Sequence, residues 1–150
     1  MATDSGQRLF RIDLTRFASA IESEVETHAI EGEIGDSAVI RAATKRLLLL
    51  QKAEAFLLRR HVKARDAYDI YFLQGIGATL TQQLQAHLED ALLANEIDSI
   101  GVLDRVARVN GGLCSLELKP ILPADVYAPL EATRFEPLRE ALKALYGKWL

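Results

Sequence analysis

Residues 44–77 read TKRLLLLQKAEAFLLRRHVKARDAYDIYFLQGIG, and the two halves of this stretch decide the fold. Thr44 is a good N-cap, and Lys45–His61 carries Leu47, Leu48, Ala55, Leu58 and other apolar residues nearly all round. A helix of that composition must be covered on more than one side. A second helix is predicted from Arg65 or Asp66 through Phe72 and Leu73 to the break at Gly75 and Gly77.

Working outward, Thr81–Glu96 places Leu84, Leu88, Ala91 and Leu92 on one helical face. Asp98–Val109 reads as a further helix ending at Gly111-Gly112, since glycine suits a helix C-terminus. All four prolines fall in the last 31 residues, and the stretch Lys119–Pro129 is predicted to be irregular. Glu136–Leu150 then forms a last helix with the stripe Leu138, Leu142, Leu145 and Trp149, and Pro137 is tolerated in its first turn. On the N-terminal side, Arg8–Leu14 alternates as a short strand would. Leu14, Phe17, Ala18, Ile21 and Val25 also sit at helical spacing, but Ile30 and Ile34 continue a two-residue period, and Glu22–Ile30 is read as strand. Gly35-Asp36 marks a turn before a strand at Ala38–Ala42. The expected fold is α+β and mostly α, a single domain over residues 1–150. A β-containing element (1–43) of two or three strands stands against a bundle of five or so helices (44–150).

Composition bounds the function more loosely. At 150 residues, with 49% apolar and 26% charged residues, the chain has a globular composition. Lys and Arg number 18 against 21 Asp and Glu, for a net charge of −3, which counts against a protein that coats nucleic acid and against RNA as a partner of this chain alone. The apolar runs reach no further than four residues, as in Leu47–Leu50, so no membrane span is expected. The first residues, MATDSGQRLFR, lack the apolar core of a secretory signal. A lone cysteine, Cys114, leaves no internal disulfide and suits a reducing cytoplasm.

Chemistry concentrates where the two central helices meet. Lys52 and Arg59, seven residues apart, lie two turns from each other on one face. Asp66 and Asp69, three apart, share a face of the next helix. If the helices pack as neighbours, cations and carboxylates meet, and such a set can hold a polyphosphate and its magnesium. The same residues have a plainer reading. Asp66 near a helix start complements the helix dipole, and Arg65 with Asp69 makes an i,i+4 pair worth a few tenths of a kcal/mol. Tyr68, Tyr71 and Phe72 read as core aromatics.

The string KAEAFLLR followed by VKARDAYDIYFL resembles the C-terminal signature of the AbiEii/AbiGii-type nucleotidyltransferase toxin family. That signature has a Lys, an Ala one turn on, an Arg, and then Arg-Asp-x-Tyr-Asp with a hydrophobic residue and a following Leu. Those places fall on Lys52, Ala55, Arg59, Arg65, Asp66, Tyr68, Asp69 and Leu73, within a match covering roughly Val39 to Gln74. The resemblance implies a nucleotidyltransferase-like fold that transfers a nucleotide from a nucleoside triphosphate with Mg2+, in a toxin–antitoxin or phage-defence setting. It implies that Lys52, Arg59 and Arg65 serve phosphate and that Asp66 or Asp69 completes the active site. The family also carries a Gly-Ser loop and an Asp-x-Asp strand, whose carboxylates bind two metals. No Asp-x-Asp occurs in these residues, and Asp13 in the RIDLT segment is the one candidate for a further metal-binding acid. The expectation is therefore the C-terminal half of such a protein, inactive alone, with an antitoxin or a companion chain as partner. The alternative is a non-catalytic helical interaction module.

His28, His61 and His87 have no second His or Cys at ligand spacing, and Cys114 reads as a small buried residue. Arg59, Arg60, His61, Lys63 and Arg65 make a basic helix junction, read first as a solvated surface.

Overall fold

The structure, a computed structural model, describes residues 23–31 and 37–150. The Arg8–Leu14 strand, Asp13 and the Gly35-Asp36 turn lie outside these residues. The chain is mostly helical, with a small antiparallel sheet on its N-terminal side. Strands β1 (Val25–Glu31) and β2 (Ser37–Ala43) pair in register from Val25↔Ala43 to Glu31↔Ser37.

The sheet meets the bundle where Val25 and Ala43 pack against the core and where Thr44 and Glu24 bond. Thr44 caps helix α1 (Lys45–Leu58) by accepting from the Leu47 amide at 3.2 Å. The same hydroxyl donates to Glu24 at 2.7 Å, and the Arg46 guanidinium reaches that carboxylate at 3.1 Å. Glu24 is nearly buried, and the Thr44 hydrogen bond, against the cost of burial and helped by Arg46, holds its pKa below the usual 4.5.

Helix α1 is the centre of the molecule. Leu47, Leu49, Leu50, Ala53, Phe56 and Leu57 are all buried on it, as its all-round apolar composition requires. It packs on α2 (Ala64–Gly75), α3 (Gln82–Ala94) and α4 (Ser99–Ala107). Each buried leucine contributes about 1.5–3 kcal/mol through removal of apolar surface from water. Helix α7 (Glu136–Tyr146) closes the bundle against α2 and α4, with Tyr146 stacked on Phe56 at a ring separation of 6.1 Å.

Helix α2 ends at the glycines as expected, with Gly77 in the left-handed region at φ +78°. The region beyond Val109 differs from the sequence reading. Gly111-Gly112 opens a helix, α5 (Gly111–Leu118), because Asn110 accepts from the Leu113 amide at 3.0 Å and caps it. The proline stretch likewise contains a helix, α6 (Ala124–Ala132). Pro123 stands at its N-cap, where no N–H is needed, and Pro129 sits inside it. The last helix stops at Tyr146, and Gly147–Trp149 is a single 3-10 turn. The bundle thus has seven α-helices among the described residues rather than five or so. No helix among them is long and apolar enough to cross a membrane.

Candidate functional site

Helices α1 and α2 pack side by side and bring the four expected side chains together. The Lys52 ammonium lies 2.6 Å from Asp69 Oδ2 and 3.9 Å from Asp66 Oδ1. From the C-cap of α1, Arg59 Nη1 stands 3.3 Å from Asp66 Oδ2. The spacing of seven on one helix and three on the next is what lets both cations reach one carboxylate pair.

The two acids differ sharply in environment. The Asp66 side chain is 3% exposed, whereas Asp69 is 38% and Lys52 36% exposed. Asp66 Oδ2 is buried with no donor in hydrogen-bonding geometry among the described residues, despite the guanidinium nearby. Burial raises the Asp66 pKa above the ordinary 3.8; Arg59 and then Lys52 pull it down, and Asp69 adds repulsion. One carboxylate therefore braces the cluster from inside, and the other faces outward with the lysine.

More distant groups, which local sequence windows do not reveal, hold this pair in place. Tyr146 is fully buried and donates to the Ala53 carbonyl at 2.9 Å, with its pKa held well above 10 by burial and by the nearby Asp66 charge. Arg105 on α4 donates to the carbonyls of Phe56 (3.1 Å) and Arg59 (2.9 Å) and so closes the C-terminus of α1. Glu117 on α5 accepts from the Ala64 amide at 2.9 Å and from Lys63 Nζ at 3.0 Å. It thereby caps α2, whose own N-cap residue, Lys63, makes no side-chain cap.

Arg65 does not join the cluster. It is exposed, and Asp69 turns to Lys52 instead of making the expected i,i+4 pair with it. The basic junction is partly neutralised, since Arg59 faces Asp66 and Lys63 faces Glu117, while Arg60, His61 and Arg65 remain on the surface. Tyr68 is half-buried against the core, but Tyr71 and Phe72 stand exposed, contrary to their reading as core aromatics. Cys114 is buried, and burial pushes its thiol up to about 11, so it is an inert core side chain. Among the described residues no three His, Cys, Asp or Glu side chains group as metal ligands. Comparison with protein-family models, with curated proteins and with solved structures finds no match to this chain.

Proposed function

We propose that the chain is the helical part of a nucleotidyltransferase-like protein of the AbiEii/AbiGii type, in a toxin–antitoxin or phage-defence setting, and that the α1–α2 cluster receives the triphosphate of a nucleoside triphosphate. The observation that carries this reading is the half-open Lys52–Asp69 pair standing over a buried, under-bonded Asp66. Lys52 and Arg59 are the phosphate-binding cations, and Arg65 adds charge at the rim. Asp69 is exposed enough to meet a magnesium ion carried by the triphosphate. Asp66 is a positioning residue: its charge fixes Lys52 and Arg59 from beneath. These residues contain no Asp-x-Asp pair, so nucleotide transfer needs carboxylates from another segment or a companion chain.

A second reading, the non-catalytic interaction module, is favoured by one observation. Both cations already face a carboxylate, as they would in a clamp that only joins α1 to α2. Calorimetric titration with magnesium and a nucleoside triphosphate separates the two. The nucleotide reading expects weak saturable heat that vanishes in Lys52→Met and Arg59→Met, with each variant still folded by circular dichroism. No heat from the wild type, with both variants only lowering Tm, selects the clamp.

A further inference from the structure

A second site lies on the far end of the same helix pair. A half-open cleft of about 410 Å³ runs between the end of α2, the start of α3 and the C-terminal turn. That volume falls in the range of roughly 300–1,000 Å³ usual for small-molecule sites. Leu49, Leu80 and Leu145 form its walls together with Trp149, whose ring supplies a flat apolar surface.

Apart from Lys148, the polar lining is neutral. Gln74 projects an amide that makes no side-chain hydrogen bond among the described residues, and Thr79 adds a hydroxyl. Gln85 spends its Nε2 on the Leu80 carbonyl at 3.3 Å, which leaves its amide oxygen as an acceptor. Among the described residues no acid lines the cleft, and the one cation that does, Lys148, pairs with Glu89 at 3.1 Å and lies over one side of the Trp149 ring at 5.8 Å. The Trp149 indole N–H is itself buried and has no acceptor among the described residues.

We propose that this cleft binds a small, neutral, planar heterocycle with an amide-type edge, its ring against Trp149 and its edge on the Gln74 amide. Apolar walls alone would suit any oily molecule. An unpaired amide and free acceptors beside a flat ring select one with both donors and acceptors on its rim. Nucleobases and carboxamide rings share that chemistry. The inference goes beyond the triphosphate reading and does not rest on it, because the probes that test it carry no phosphate.

Trp149 is the chain's only tryptophan, so its emission reports this cleft alone. Adenosine, uridine and nicotinamide are titrated separately, with cyclohexanol as the apolar control, and the emission maximum is followed. The expected result is a saturable shift with a nucleoside or with nicotinamide, whichever source fits. Gln74→Leu weakens it about tenfold. Ala144→Phe, at an exposed lining position that a larger ring can fill without disturbing the core, abolishes it. The proposal is overturned if none of the three shifts the emission. It is equally overturned if the shift survives Ala144→Phe, or if cyclohexanol binds as well as they do and Gln74→Leu changes nothing.

Discussion

Asp66 and Glu24 are both nearly buried carboxylates, yet their surroundings push them in opposite directions. Burial raises Asp66 above 3.8, so the native state holds that proton to higher pH than the unfolded chain does. The stability it contributes is fully present below 3.8 and is lost as pH rises through its folded value. Glu24, held below 4.5 by Thr44 and Arg46, contributes stability above 4.5 that is lost as pH falls through its folded value. Denaturant melts of wild type and Asp66→Asn across acidic pH therefore diverge. The wild type loses ground to the variant as pH rises from 3.8, and a constant difference would contradict the assignment. Arg105 acts on the same region without titrating in that range. Its replacement by alanine strands two carbonyls at the end of α1 and lowers stability by about 2 kcal/mol in urea unfolding, whereas a surface pair such as Arg108–Asp104 costs under about 1 kcal/mol.

At the scale of elements, the bundle depends on caps supplied from a distance. Helix α2 begins at Ala64 and not at Arg65 or Asp66 because Glu117 meets its first amide. Glu117→Ala is expected to cost about 1–2 kcal/mol in thermal unfolding and Glu117→Gln less, since the amide keeps an acceptor for the Ala64 N–H. Thr44→Ala removes both the α1 cap and the hydroxyl bond to the Glu24 carboxylate, with a similar expected loss. Helices α1, α2 and α3 were legible in sequence because apolar periodicity and, for α1 and α3, a threonine cap agree. Helices α5 and α6 were not, because a glycine pair and prolines commonly end helices and so mask a helix that starts there. Asn110 before the glycines, and Val126, Tyr127 and Leu130 at helical spacing after Pro123, were the signals that favoured helix there.

At the scale of the whole molecule, a charged cluster stands at one end of the α1–α2 pair and a cleft free of acids among the described residues at the other. The junction was readable from spacings of seven and three, since Lys52, Arg59, Asp66 and Asp69 do meet. Its supports were not. Tyr146, Arg105 and Glu117 arrive from far along the chain, and no local pattern announces which carbonyl or amide each will meet. The different roles of the two acids also depend on burial, which their shared helix face does not reveal.

The Lys52–Asp69 pair separates a nucleotide site from a clamp, because a ligand must divide that pair. The decisive measurement is the affinity of wild type and Asp69→Asn for a nucleoside triphosphate, with magnesium and with the metal chelated. The predicted result is a crossover. With magnesium the variant binds about tenfold more weakly, because a neutral amide oxygen replaces the anionic carboxylate facing the metal. Without magnesium it binds more tightly than wild type, because Lys52 is released to the phosphates. Affinities that stay equal in both conditions, or no binding by either protein, would contradict the account and leave the cluster as a bond between two helices.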